Sequence, residues 1–163
     1  MEIQILDDSD DETVDIIDDL APKVRVVTGV PVNVVRRPKR VDFKAGALSY
    51  GLTKAKGEYA AIFDSDFIVP PNFLKRCVTL IHRHPDVACV QGRWGHLNRQ
   101  ENWLTKAQSI GIDGHFCIEQ GARNYNRFCM NFNGTGGMWR IKAIADAGGW
   151  SGDTLTEDLD LSY

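Results

Sequence analysis

Three carboxylate clusters are the residues best suited to chemistry. Asp64 and Asp66 flank Ser65 at the end of the apolar run Tyr59-Ala60-Ala61-Ile62-Phe63, Asp7 and Asp8 close an earlier apolar run, and Glu157 and Asp158 open a late helical pattern. Carboxylates placed at the mouth of a site serve as oxygen ligands or as proton acceptors. The plain alternative for Asp-Ser-Asp is a solvated turn capping the Pro-rich loop that follows. Lys44 stands beside a basic stretch, Arg36-Arg37-Pro38-Lys39-Arg40. With Arg37 and Arg40 it could face a diphosphate; the alternative is a solvated loop before an ordinary helix.

Elements must carry these groups to one place. The run ending at Asp64 reads as a buried strand of an α/β sheet, where ligands gather beyond the carboxyl ends of the strands. Residues 2–6 read as a strand ending on Asp7 and Asp8, so two parallel strands would end in acids. Residues 14–20 form the helix after the first strand. The β-branched runs at 24–27 and 32–35 contain at least one further strand. A helix runs from about Asp42 to Ala55, where Ala45, Gly46 and Ala47 leave room for a backbone to approach a ligand. Another helix follows Pro70-Pro71-Asn72 to about Arg83, residues 87–91 are a strand, and residues 101–120 form a longer helix. Residues 128–140 read as strand, Gly-rich turn and short strand, and residues 141–147 as a short helix closed by Gly148-Gly149. His82 and His84 fall on different faces at a helix C-terminus, where the dipole favours them and metal binding does not follow.

Composition sets limits. The chain has 163 residues, 43% of them hydrophobic, which suits one globular domain, 1–163. A formal charge of -3 argues against a general nucleic-acid surface. Cys77, Cys89, Cys117 and Cys129 lack paired spacing and read as reduced thiols of a cytoplasmic protein. No stretch is long and apolar enough to span a membrane. The acids from Asp7 to Asp18 superficially resemble a calcium loop, but Glu12 stands where a glycine is required. Asn133-Gly134-Thr135 matches a glycosylation sequon that a cytoplasmic chain would not present to that machinery.

Taken in order, Asp-Asp-Ser at 7–9, Lys-Ala-Gly-Ala-Leu at 44–48, Asp-Ser-Asp at 64–66, Asn-Gly-Thr-Gly-Gly at 133–137 and Thr-Glu-Asp at 156–158 resemble the inverting family 2 glycosyltransferases of GT-A fold. The likeness is greatest to the cellulose synthase-like and glucomannan synthase-like β-glycan synthases. It implies a mainly parallel sheet flanked by helices, with a nucleotide-sugar-binding half over about 1–92 and an acceptor and catalytic-base half over about 93–163. It also implies transfer of a hexose from a UDP- or GDP-sugar to a growing β-glycan. Asp66, with Asp64, would hold Mg²⁺ or Mn²⁺; Asp7, Asp8 and Lys44 would contact base, ribose or diphosphate. Asp158 would be the catalytic base and Glu157 an orienting neighbour. Asn133, Gly134, Thr135 and Gly136 would form the acceptor side, where Trp139 or Trp150 either stacks on sugar or packs in the core.

The first family strand, with its Pro-x-Tyr-Asn-Glu-like segment, and the Gln-x-x-Arg-Trp motif with its membrane helices do not appear in the chain. The expectation is therefore a fragment truncated at both ends and inactive alone, with the full protein held at the cytoplasmic face of a membrane by segments outside these residues. The alternatives are a transferase acting on a polyprenyl phosphate or lipid, and a non-catalytic sugar-nucleotide-binding fragment.

Overall fold

A computed structural model describes residues 1–154 and 156–163; Leu155, inside the Thr-Leu-Thr-Glu-Asp stretch, lies outside the described residues. Strands and helices alternate: β1 (Ile3–Leu6), α1 (Thr13–Thr28), β2 (Val32–Val35), α2 (Phe43–Leu52), β3 (Tyr59–Ile62), α3 (Phe73–Arg83) and β4 (Cys89–Gln91). Then come α4 (Trp103–Gly114), a π-helical turn (His115–Glu119), α5 (Gln120–Tyr125), β5 (Gly137–Arg140), α6 (Ile141–Asp146) and α7 (Glu157–Leu161). β1 and β2 pair in parallel, Ile3 opposite Val32 through Leu6 opposite Val35, with α1 as the crossover. The other strands form a sheet ordered β3-β5-β4, in which β4 and β5 are antiparallel. The fold is thus the expected α/β arrangement of parallel strands and flanking helices, joined by an antiparallel pair that the sequence did not announce.

By packing, the chain divides within β3 and β5 into two compact units. The first comprises Met1–Ala60 with Arg140–Glu157 and the second Ala61–Trp139 with Asp158–Tyr163. In the first, Ala21, Ala45, Leu48, Ile144 and Trp150 are buried; in the second, Ile62, Cys77, Ile81, Phe132, Met138, Trp139 and Leu161 are. All four cysteines are free thiols. Among the described residues no helix is long and apolar enough to cross a membrane.

Two expected elements differ. Residues 24–27 belong to α1, which extends past its expected end at Leu20 and through Pro22 to a left-handed cap at Gly29. Val14, Ile17 and Ala21 fall on one helical face, and that periodicity outweighs the β propensity of a run whose Val26 and Val27 are largely exposed. Residues 128–132 form no strand. Three consecutive backbone donors at its end and just beyond go to side chains instead: Asn131 N–H to Gln120 Oε1, Phe132 N–H to Ser162 Oγ and Asn133 N–H to Gln91 Oε1. A segment whose N–H groups are satisfied in this way needs no strand partner. The expected long helix over 101–120 begins with a capping box between Asn102 and Thr105 and passes through the π-helical turn before continuing.

Candidate active site

The first unit gathers Asp7 and Asp8 with the arginines that follow β2. The parallel register carries both strands to the same end, so Asp7 and Asp8 emerge beside Arg36 and Arg37. Asp7 is buried; its Oδ1 accepts the Ser9 N–H at 3.0 Å and its Oδ2 the Arg36 Nε at 2.7 Å. Burial pushes the Asp7 carboxyl up, but the hydrogen bonds from Ser9 and the Arg36 guanidinium outweigh it and hold the group below the usual aspartate range.

Because the folded pKa is depressed, this carboxylate contributes stability above its unfolded value of about 4, and the contribution is lost as pH falls through the lower native value. Asp7→Asn is therefore expected to lower the melting temperature at neutral pH and to flatten its fall below about pH 4. A variant with the wild-type acid profile would show that the pair contributes nothing.

Asp8 takes a two-pronged interaction from Arg37, at 2.9 Å from Nε to Oδ1 and 2.5 Å from Nη2 to Oδ2. Arg37 also donates to the carbonyls of Val41 and Phe43, and its side chain is only 7% exposed. It is thereby consumed in holding the turn into α2, contrary to the expectation that it faces a diphosphate. Gly46 has a matching explanation. A Cβ there would stand 2.1 Å from the Val41 carbonyl oxygen and 2.3 Å from Arg37 Nη1, so the close approach this glycine permits is by the chain itself. Arg40 is exposed. It lies over the Phe43 ring at 5.7 Å and lines, with Asp8, Ser9, Asp10 and Asp11, a polar depression of about 250 Å³. Lys44 sits half-buried in the first turn of α2.

In the second unit β3 delivers Asp64 half-buried and Asp66 exposed on a tight turn closed by Phe67 N–H to the Asp64 carbonyl. The Asp64 N–H donates to the buried Thr135 Oγ1 at 2.8 Å, and the Gly136 N–H to the Ile62 carbonyl at 2.9 Å. The acid-bearing turn and the Gly-rich loop are thus one bonded structure. The loop is held from behind by Gln91, whose Nε2 donates to the Thr135 and Gly136 carbonyls, and by Trp94, whose indole N–H reaches the Thr135 carbonyl at 3.2 Å. Gly136 is left-handed, φ 69°, and a Cβ there would meet the Trp94 indole at 3.3 Å. Gly134, Thr135 and Gly136 are buried and Asn133 is half-exposed, so the loop presents Asn133 rather than a bare glycine floor.

The same loop reaches α7. Ser162 Oγ donates to the Asp158 carbonyl at 2.7 Å and accepts the Phe132 N–H at 2.8 Å. Asp158 and Glu157 are half-buried in the first turn of that helix, as expected. Trp139 and Trp150 are 5% and 8% exposed and are core residues, not surfaces for stacking a sugar.

Asp64 and Asp66 supply hard oxygen ligands of the kind Mg²⁺ or Mn²⁺ accepts when substrate phosphate and water complete its shell. Among the described residues no group of three His, Cys, Asp or Glu gathers as a protein-only metal cage. The residues that reasoning from sequence missed are structural partners: Arg36, Gln91, Trp94, His115, Gln120 and Ser162. Gln91, ending a strand, carried a faint signal. Gln120 carried none, because a glutamine near a helix end reads as solvent-facing yet is 3% exposed here.

Strands flanked by helices, with the acid-bearing turn after β3 bonded to a Gly-rich loop, make an α/β arrangement of the GT-A type. Residues 1–144 match the profile of glycosyl transferase family 2, and the chain belongs to that family. It is 40% identical over 163 residues to glucomannan 4-beta-mannosyltransferase 2 of Arabidopsis thaliana, covering 98% of this chain and 30% of that protein. To probable glucomannan 4-beta-mannosyltransferase 7 of Oryza sativa subsp. japonica it is 43% identical, covering 98% and 28%. To glucomannan 4-beta-mannosyltransferase 1 of Cyamopsis tetragonoloba it is 39% identical, covering 98% and 31%. The chain spans about a third of the length of the curated relatives it matches.

Proposed function

We propose that the complete protein is an inverting, metal-dependent hexosyltransferase that moves a hexose, mannose or glucose, from a GDP- or UDP-sugar to the 4-position of a growing β-glycan. The supporting observation is a path in the second unit that runs by hydrogen bond from the Asp64 N–H to Thr135 Oγ1, along the loop backbone to Phe132, and by hydrogen bonds from the Phe132 N–H through Ser162 Oγ to the Asp158 carbonyl. It ties the acids suited to the donor's diphosphate side to the acid suited to the acceptor. The names of the relatives support the sugar and linkage.

In this reading Asp8, the Arg40-lined depression and Lys44 meet the nucleoside and diphosphate, while Asp7 serves by fixing Arg36 rather than by touching the donor. Asp64 and Asp66 hold Mg²⁺ or Mn²⁺, which when bound stabilises negative charge on the departing diphosphate. Asp158 accepts the proton of the acceptor hydroxyl as that oxygen attacks the anomeric carbon opposite the diphosphate. One C–O bond forms to the acceptor, the bond to the diphosphate breaks, and the diphosphate departs with the electron pair. Glu157 orients the acceptor end of α7, and Asn133, over Gly134, Thr135 and Gly136, meets the acceptor sugar. The complete protein works at the cytoplasmic face of a membrane, where nucleotide sugars are available, held there by segments outside these residues.

The test is product formation by the full-length protein supplied with GDP-mannose or UDP-glucose and Mn²⁺. A β-1,4-linked product that disappears on chelation is the expected result; transfer that survives complete metal removal would contradict the role of Asp64 and Asp66.

A further inference from the structure

His115 lies outside every cluster considered so far, yet it touches the side chain expected to meet the acceptor. Asn133 Nδ2 donates to His115 Nε2 at 2.9 Å, and Gln120 Nε2 donates to Asn133 Oδ1 at 3.1 Å. Both ends of the Asn133 amide are therefore occupied, and its rotation about the terminal bond is closed off. Gln120 is itself fixed, donating to the Asn131 carbonyl at 2.6 Å and accepting the Asn131 N–H at 3.3 Å. A flip of Asn133 would set its amide nitrogen against the Gln120 nitrogen, donor against donor.

The backbone explains why two residues five apart can share this task. On an α-helix such residues lie about 140° apart around the axis, too far to serve one side chain. Here the Gln120 N–H bonds to the His115 carbonyl, the i→i+5 bond of a π-helical turn, which brings the two positions nearly into line. π turns cost helix geometry and recur at functional sites. Glu119 completes the arrangement. Its Oε2 lies 2.9 Å from His115 Nδ1, and the hydrogen bonds from His115 and then Arg123 hold its carboxyl below the usual glutamate range. An ionised Glu119 accepts the Nδ1–H and leaves the Nε2 lone pair for Asn133.

We propose that His115 is a positioning residue for acceptor binding, acting through Asn133, with Glu119 fixing its tautomer and the π-helical turn setting it beside Gln120. This rests on reading Asn133 as an acceptor-side residue, and the test separates the two. In the full-length protein, KM for a manno-oligosaccharide acceptor, KM for the donor that turns over (GDP-mannose or UDP-glucose), and melting temperature would be measured for H115A, H115N, H115Q and N133A.

H115A and H115N, which remove the acceptor atom at Nε2, are expected to raise acceptor KM about fivefold, the factor carried by one neutral hydrogen bond, with donor KM unchanged. H115Q keeps an acceptor oxygen near that position and is expected to stay within about twofold of wild type. An unchanged acceptor KM in H115A, or H115Q as impaired as H115A, would overturn the proposal, as would donor and acceptor KM rising together with a lowered melting temperature. If N133A raises acceptor KM while H115A does not, the His115 inference fails alone. If N133A also leaves acceptor KM unchanged, the acceptor-side reading of Asn133 has failed.

Discussion

Asp158→Asn in the full-length protein is expected to reduce transfer by about 10² to 10⁴, the range lost when a positioned base is removed. That corresponds to roughly 3 to 5 kcal/mol of transition-state stabilisation. The fold should hardly notice the change. The tie from α7 to Ser162 uses the Asp158 backbone carbonyl, and an asparagine oxygen can still accept the Leu159 N–H that Asp158 Oδ1 accepts at 2.9 Å. Donor binding should persist, because in the proposed reaction this carboxylate meets only the acceptor hydroxyl. Turnover and calorimetric binding of the donor with Mn²⁺ check both halves. Turnover near the wild-type rate would remove Asp158 from the role of base, and loss of donor affinity would move it to the donor side.

The second large effect is on stability. Gly46→Ala places a methyl group 2.1 Å from the Val41 carbonyl oxygen and 2.3 Å from Arg37 Nη1. Replacing a helical glycine by alanine ordinarily gains about 1 kcal/mol. The clash reverses that sign, because one atom in the way is backbone and the other is a guanidinium held between Asp8 and two carbonyls. Overpacking of this kind costs typically 1–3 kcal/mol and occasionally more, and the upper end, about 3 kcal/mol net, is expected here. Denaturant unfolding of the purified protein measures it. A stabilised variant would mean that the Val41 to Phe43 turn moves aside freely and that Arg37 does not tie it.

How much was legible follows from the scale of each signal. The strand ends bearing Asp7, Asp8 and Asp64 were readable because an apolar run stopping on carboxylates is a local pattern, and the helix opened by Glu157 and Asp158 for the same reason. Roles set by long-range partners were not. Arg37 looked like a diphosphate ligand because composition shows its charge but not that Asp8, 29 residues away, accepts from it. Gly46 looked like room for a ligand because a missing Cβ does not say which atoms fill the gap. The run at 128–132 looked like a strand because β propensity is blind to donors captured by Gln91, Gln120 and Ser162. The π-helical turn at His115 was not read from periodicity, because the phase shift of one extra residue falls near the end of the helix and only Gln120–Tyr125 follow it.

The bonded path from the Asp64 turn to α7 also divides the labour among the carboxylates. Asp7 is locked by Arg36 and shapes the end of β1. Asp64 and Asp66 lie on a turn pinned to Thr135, and Asp158 sits on a helix pinned to Phe132 through Ser162. In the proposed reaction Asp158 is the one proton acceptor, which is what a single inverting displacement requires.

The anomeric configuration of the product tests that claim most directly. Full-length protein given an α-linked GDP- or UDP-hexose, Mn²⁺ and a manno-oligosaccharide should yield a new β-linkage at the 4-position, read by the proton coupling at the anomeric carbon in nuclear magnetic resonance. An α-linked product would mean retention, and with it a mechanism in which Asp158 is not the base of a single inverting step.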